Sequence, residues 1–131
     1  MAKLDSYQLA HFEDGDLSAV ELEDFEVMSY EGAEKAIKEV FRVLRDGGTL
    51  EFLVLNWQWC IKQAVGQKLV DVLSSHFGSR YRSIWDEHGL LRLLFQAGFL
   101  KIWTGHVAEY PEHILLVKAL KFQPTEVEVL L

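Results

Sequence analysis

The sequence has little cysteine, proline or basic charge. Cys60 is the single cysteine among 131 residues, so no internal disulfide and no cysteine-based zinc site can form, which is typical of a reducing compartment. The two prolines, Pro111 and Pro124, both lie late in the chain. Lysine and arginine number 13 against 20 aspartates and glutamates, a net charge of −7. This acidity argues against nucleic acid as a partner, because phosphate contacts require basic side chains.

Long uninterrupted apolar segments are also absent from the sequence. Charged residues make up 25% of the chain and are spread along it, which argues against a membrane span, and no apolar leader follows the first residues. The expected location is therefore cytoplasmic. Apolar residues nevertheless reach 50%, enough for a folded core. The length suits one domain over 1–131, with an irregular acidic part over 1–30 and a tail over 121–131.

The spacing of apolar residues predicts alternating strands and helices. A helix over 31–45 has apolar residues at every third or fourth position, and Asp46, Gly47 and Gly48 are expected to stop it. A strand over 49–55 is apolar on both faces. The remaining predicted elements are strands over 7–12 and 25–29, helices over 57–76 and 86–98, and a hairpin formed by 99–107 and 113–120. This order indicates an α/β fold that ends in an antiparallel pair.

Several segments then resemble one enzyme family. Glu39–Leu50, read as E-V-F-R-V-L-R-D-G-G-T-L, is similar to the E-x-x-R-V-L-K-P-G-G-x-L segment that leads into the fifth strand of class I S-adenosylmethionine-dependent methyltransferases. Asp86–Phe99 resembles the later L-x-x-L-L-x-x-A-G-F segment, and Ile114–Ala119 resembles the closing antiparallel strand. Upstream, Phe12–Leu17 resembles the acidic turn of the family, and Phe25–Val27 its fourth strand.

The resemblance implies a truncated Rossmann-like methyltransferase sheet with a C-terminal antiparallel hairpin and helices on both faces. In this family the methyl donor lies on a glycine-rich loop after the first strand. The sequence contains no G-x-G, and the residues before Gly15 are too few for the first three strands. A smaller departure is Asp46, which stands where the family usually has proline. We therefore expect the chain to correspond to the C-terminal part of the domain, without the main cofactor-binding half.

One cofactor contact is implied by the resemblance. Asp16 matches the family acid that accepts a hydrogen bond from the adenine amino group of S-adenosylmethionine. The alternative is that Asp16 is an acidic turn residue beside Gly15, and a single adenine contact does not hold a cofactor alone.

Four further residues follow predicted strands. Ser29 and Tyr30 follow the fourth strand of the family pattern, and Asn56 and Trp57 follow the fifth. Because the carboxyl ends of strands face the ligand crevice in open α/β sheets, these residues are candidates for an acceptor pocket. The alternative is that Asn56 caps a helix and Trp57 lies in the core. No catalytic side chain is predicted. No metal site is predicted either, since no pair among His106, Glu109, Glu112 and His113 has the close spacing of a zinc site.

Two functions are consistent with this pattern, in addition to a truncated copy that retains no function. The first is a methyltransferase-like domain that does not bind S-adenosylmethionine by itself and acts as a non-catalytic interaction or assembly module. The alternative is a methyltransferase for a small molecule or protein, whose cofactor site another chain completes. Without the first two strands, the fourth strand becomes an edge unless the N-terminal strand pairs with it. We therefore expect a homodimer, or a partner protein that covers an exposed sheet edge.

Overall fold

The computed structural model describes residues 2–63, 71, 82–111 and 114–122. Its strands and helices, in chain order, are β1 (Ala2–Leu4), β2 (Leu17–Leu22), α1 (Tyr30–Val43), β3 (Leu44–Leu55), α2 (Trp57–Gln63), α3 (Glu87–Ala97), β4 (Lys101–Gly105) and β5 (Ile114–Leu120). Short 3-10 helices occupy Gln8–His11 and Phe25–Val27. Of the helices within these ranges, none combines the length and the apolar character that crossing a bilayer requires.

The strands form one five-stranded sheet in the order β1-β2-β3-β5-β4. The first three strands are parallel, and β5 is antiparallel to both β3 and β4. Leu50 lies opposite Ala119 in the β3–β5 pair, and Ile102 lies opposite the same alanine in the β4–β5 pair. The predicted α/β fold with a closing antiparallel hairpin is confirmed.

The two long described helices follow local sequence signals. In α1, the Ser29 hydroxyl accepts a hydrogen bond from the Gly32 N–H at 3.0 Å, and the buried stripe begins at Ala33 and ends at Val43. In α3, the Asp86 carboxylate caps the first turn, and Gly98 ends the helix in the left-handed conformation with φ of 116°. Both helices are confirmed within two residues of their predicted ends.

The predicted role of Asp46, Gly47 and Gly48 in stopping α1 is wrong. The helix ends at Val43, and β3 begins at once with Leu44, which lies opposite Leu17 of β2. The register then shifts, so that Ala19 lies opposite Thr49. Gly47 takes a φ of 82° within this irregular stretch, where its N–H donates to the Lys121 carbonyl. The glycine thus serves a bulged strand instead of a helix end.

Both predicted N-terminal strands are wrong. Residues 7–12 contain a 3-10 helix because the Asp5 carboxylate accepts hydrogen bonds from the N–H groups of Tyr7 and Gln8, which holds the chain in a turn. Residues 25–29 also begin with a 3-10 helix, and Phe25 packs on Phe52 with ring centroids 4.3 Å apart. The strands of this region are β1 and β2 instead.

The N-terminal strand β1 pairs with β2 in parallel, with Leu4 opposite Leu22. The sequence predicted that the strand over 25–29 would be an edge unless the N-terminal strand paired with it. Residues 25–27 form a 3-10 helix instead, and the strand that β1 covers is β2. The edge that remains on this side belongs to β1, which is only three residues long.

The helices α1 and α3 pack against the same face of the sheet. The core there combines the buried residues of both helices with alternate strand residues, namely Val20, Leu22, Leu50, Phe52, Val54, Val117 and Ala119. The opposite face carries the intervening strand residues, which are half-buried or exposed. Trp103 lies on that face and is 47% exposed. Helices were expected on both faces of the sheet. Among the described residues, the helices α1 and α3 both lie on the same face. Most of the predicted helix over 57–76 lies outside the described residues beyond residue 63.

Candidate functional site

A cleft lies at the edge of the sheet where β3 and β4 end. Both strands are antiparallel to β5, so their carboxyl ends lie at the same edge. The cleft has a volume of about 270 Å³ and lies between the first turns of α2 and α3. Its polar and aromatic lining consists mainly of Asn56, Trp57, Trp85, Glu87, Thr104 and His106.

Asn56 and Trp57 form the β3 side of this cleft. The Asn56 side-chain oxygen accepts a hydrogen bond from the Trp59 N–H at 3.2 Å, as a helix cap does. Trp57 is half-buried. The sequence offered a helix cap and a pocket residue as alternatives for Asn56. In the structure the Asn56 side chain caps α2 and also lines the cleft.

Trp85 forms another wall and is held from several directions. Its indole N–H donates to the Ser83 hydroxyl at 2.8 Å. Its ring centroid lies 5.4 Å from that of Phe25 and 5.0 Å from that of Tyr30, the latter in an edge arrangement. Sequence reasoning did not place Trp85 here, because no local pattern links it to the end of β3.

The charged groups of the cleft are mainly acidic. The Thr104 hydroxyl donates to a Glu87 carboxylate oxygen at 3.0 Å, which joins α3 to β4. Asp86 accepts from the Gly89 N–H at 2.6 Å. His106 Nε2 lies 2.7 Å from the Tyr110 carbonyl oxygen, and since a carbonyl only accepts, Nε2 carries the hydrogen. Among the described lining residues, none is lysine or arginine.

A second groove, of about 640 Å³, lies at the carboxyl end of β1 and the start of α1. Ser29 lines it, together with Ser6, Asp24 and Arg82. The Asp24 carboxylate accepts hydrogen bonds from the Ser6 N–H at 3.1 Å and from the Ser6 hydroxyl at 2.9 Å. The chain's own acid thus occupies the donors at the end of β1.

Glu26 is a titratable group at this edge of the sheet that sequence reasoning missed. One of its carboxylate oxygens accepts a hydrogen bond from the Leu55 N–H at 3.0 Å, at the end of β3. Burial raises the pKa of Glu26 from 4.5 to about 7, although the bond from Leu55 opposes that rise. The Glu26 carbonyl accepts from the Arg82 N–H at 2.9 Å, which ties this turn to the segment that leads to Trp85.

Tyr30 lies beside the cleft without lining it among the described contacts. Its hydroxyl donates to the Ile84 carbonyl at 3.0 Å and accepts from the Ile84 N–H at 3.1 Å. The structure therefore brings Tyr30, Asn56 and Trp57 to one region through Trp85, while Ser29 faces the second groove.

Asp16 lies at the opposite end of the sheet. It directly precedes β2, and its carboxylate accepts a hydrogen bond from the Glu13 N–H at 2.9 Å. Its carbonyl accepts from the Arg45 guanidinium at 3.0 Å. These contacts fit the alternative interpretation from the sequence, in which Asp16 is an acidic turn residue beside Gly15. Within the described ranges, no three histidine, cysteine, aspartate or glutamate side chains are grouped to hold a metal ion.

The fold has counterparts among solved structures, although no family model and no curated protein matches the chain. A structure described as a possible exported protein from Bordetella parapertussis matches with a TM-score of 0.67 at 14% identity, over 92% of this chain and 43% of its own. A SAM-dependent methyltransferase from Archaeoglobus fulgidus matches with 0.63 at 10% identity, over 88% and 64%. A SAM-dependent methyltransferase from Thermotoga maritima, a possible histamine N-methyltransferase, matches with 0.59 at 17% identity, over 84% and 58%.

The chain thus spans less than two thirds of the length of each of these structures. At such low identity the likeness concerns the fold alone.

Proposed function

We propose that this chain, which has the Rossmann-like fold of S-adenosylmethionine-dependent methyltransferases, is a non-catalytic interaction or assembly module that does not bind the cofactor by itself. The observation that carries the proposal is the turn after β1. In α/β folds, the N–H groups that follow such a strand meet the ligand, and glycine allows the ligand to approach them closely.

In this chain those N–H groups are already bonded to the chain's own acids. Ser6 donates to Asp24, and Tyr7 and Gln8 donate to Asp5 at 3.1 and 3.2 Å. The sequence from Asp5 to the acidic turn at Gly15 contains no glycine. A ligand would have to displace two carboxylates before it reached these donors, which supports a domain that does not hold the cofactor alone.

The module would act by binding a second copy of itself or a partner protein. The sheet face opposite α1 and α3 supports this idea, because it carries a groove of about 350 Å³ lined by Lys101, Trp103, Lys118 and Glu51. The edge strands β1 and β4 border the sheet on its two sides. The proposed setting is the cytoplasm, where a chain with one cysteine needs no disulfide.

The test is direct measurement of cofactor binding. Isothermal titration and thermal unfolding are measured with S-adenosylmethionine and with S-adenosylhomocysteine, with a catalytically active methyltransferase as the positive control. A ligand that binds only the folded state stabilises it by about 2.7 kcal/mol at 100 times its Kd. We expect no heat of binding and no thermal shift at millimolar cofactor. Saturable binding of either compound to the isolated chain contradicts the proposal.

The alternative function is a methyltransferase for a small molecule or protein, with the cofactor site completed by another chain. The cleft with Asn56 and Trp57 favours it, since this cleft lies where an open α/β sheet presents ligands. The test is methyl transfer from labelled S-adenosylmethionine by the chain together with a co-purified partner. If the complex binds the cofactor and transfers methyl groups while the chain alone does neither, this alternative replaces the first proposal.

A further inference from the structure

We propose that the cleft between the first turns of α2 and α3 binds a small organic ammonium ion. This inference goes beyond the proposed function, because a cation is bound there by the residues of this chain alone, with or without the methyl donor. It rests on the charge of the cleft, on its aromatic walls and on its size.

The charge of the cleft disfavours an anion. Asp86 and Glu87 line the cleft, and no described lysine or arginine faces them there. Helix N-termini often attract anions through free N–H groups. Here the Gly89 N–H is bonded to Asp86 at 2.6 Å, and the Trp59 N–H is bonded to Asn56 at 3.2 Å. Among the described lining residues, a ligand therefore meets two carboxylates and no lysine or arginine.

The aromatic walls suit a cation. Trp57 and Trp85 both line the cleft, and the face of an indole attracts ammonium groups more strongly than any other side-chain ring. Trp85 is fixed by its bond to Ser83 and by its contacts with Phe25 and Tyr30, so the ring needs little ordering when a ligand binds.

The carboxylate of Glu87 is also positioned in advance. The Thr104 hydroxyl donates to one of its oxygens at 3.0 Å, which holds the acid at the end of β4. An ammonium ion in the cleft would lie between this carboxylate and the indoles. The cleft volume of about 270 Å³ accommodates a cation of a few heavy atoms and is below the range of about 300–1,000 Å³ typical of drug-sized ligands.

The experiment compares a cation with a neutral molecule of the same shape. The whole chain is titrated with choline, with tetramethylammonium and with 3,3-dimethylbutanol, the uncharged isostere of choline, at constant ionic strength. Binding is followed by tryptophan fluorescence and by the indole N–H signals in NMR spectra. We expect saturable binding of both cations, with choline binding about fivefold or more tightly than the isostere.

Two substitutions test the residues. Glu87→Gln keeps an acceptor for the Thr104 hydroxyl but removes the charge, and it should weaken choline binding about fivefold. Trp57→Leu should weaken it to a similar extent. The matched controls are Glu31→Gln, an exposed acid on α1, and Phe95→Leu, an exposed aromatic on α3, and both should bind choline as the unchanged chain does.

Three results would overturn the inference: equal affinity for choline and its neutral isostere, no saturable binding of either cation, or equal losses in Glu87→Gln and Glu31→Gln. If Trp57→Leu fails to fold, the Glu87 and Glu31 pair still decides. Because no methyl donor is present in these titrations, their failure leaves the separate cofactor measurement untouched.

Discussion

Glu26 has a half-buried carboxylate that accepts a hydrogen bond from the backbone N–H of Leu55. Burial disfavours its charged form and raises its pKa from 4.5 to about 7. An acid with a higher pKa in the folded chain holds more protons when folded, so folding is favoured at low pH. That contribution is fully present below about pH 4.5 and is lost as the pH rises through about 7.

The variant Glu26→Gln should remove this pH dependence, because the amide oxygen still accepts from Leu55 and carries no charge. We expect equal stability near pH 4, and at pH 8 a Gln variant that is more stable by roughly 1–2 kcal/mol, after allowance for partial exposure of the group. Urea unfolding across this pH range measures the effect. Glu23→Gln, at an exposed neighbouring acid, is the control, and an equal response of both variants would refute the assignment.

Lys121 is a buried cation at the end of α1. Its ammonium donates to the carbonyls of Phe41 and Leu44, each at 2.7 Å, and only 9% of the residue is exposed. It also lies 4.5 Å from the centre of the Phe41 ring. The cation thus satisfies carbonyls that the last turn of the helix leaves open and lies at the negative end of the helix dipole.

We predict that Lys121→Met lowers the free energy of unfolding by about 2 kcal/mol, because the apolar stem is kept but the two carbonyls lose their donor. Lys118→Met is the matched control. Lys118 is exposed and its ion pair with Glu51 is 3.6 Å long, so its loss should cost no more than about 0.5 kcal/mol. Chemical denaturation of the two variants at one pH provides the comparison, and equal losses would show that burial of Lys121 contributes nothing.

At the scale of elements, the end of α3 depends on a glycine with two separate constraints. Gly98 has a φ of 116°, and a Cβ built there would lie 2.8 Å from the Phe41 ring. That ring packs edge-on against Phe99, with centroids 5.1 Å apart, so it has little freedom to move. Gly47 also has a positive φ, of 82°, but open space surrounds its Cβ position.

Substitution of the two glycines by alanine therefore distinguishes the effect of backbone strain from the effect of steric contact. Gly47→Ala should destabilise the fold by about 1 kcal/mol through the left-handed conformation alone. Gly98→Ala should cost about 2–3 kcal/mol, since displacement of the Phe41 ring adds to the same strain. Thermal and urea unfolding followed by circular dichroism give both values. A smaller loss for Gly98→Ala than for Gly47→Ala would mean that the α1–α3 contact accommodates the methyl group.

At the scale of the whole molecule, the sheet presents one face to α1 and α3 and leaves Trp103 exposed on the other. Large exposed aromatics next to apolar strand residues are typical of protein-binding surfaces. If the proposed module works as a homodimer through this face, Trp103→Glu should raise the dimer dissociation constant at least tenfold, a change of about 1.4 kcal/mol.

Light scattering over a range of protein concentrations measures that change. Phe95→Glu is the matched control, because Phe95 is an exposed aromatic on α3, and α3 packs on the other face of the sheet. It should leave the dissociation constant unchanged. If the protein is a monodisperse monomer at all concentrations, the homodimer is excluded. The proposed binding partner of the sheet face with Trp103 is then another protein.

The elements that sequence predicted correctly are those with complete local signals. The helix α3 has an acidic cap at Asp86, an apolar repeat and a terminal glycine at Gly98, all within the helix or beside it. The N-terminal strands lacked such signals. Residues 7–12 have the alternation of a strand, but the carboxylate of Asp5 turns the backbone, and Leu17–Leu22 become the strand because β1 and β3 are available on both sides.

The residues of the candidate site also fall into two groups, those that a local sequence signal predicted and those that it did not. Position after a strand was enough to select Asn56 and Trp57, which line the cleft. Position after a strand did not select Trp85, Glu87 or Thr104, which come from other parts of the chain. They line the same cleft only because of the strand order, in which β5 lies between β3 and β4.

Local sequence signals predict the α/β class, the helices α1 and α3, the closing hairpin and the resemblance to methyltransferases, because caps and apolar repeats act between residues a few positions apart. Three features depend on the folded structure: β1 pairs with β2, burial raises the pKa of Glu26 to about 7, and indoles and carboxylates share one cleft. Burial and long-range pairing depend on every element that packs around a residue, and no local pattern contains that information.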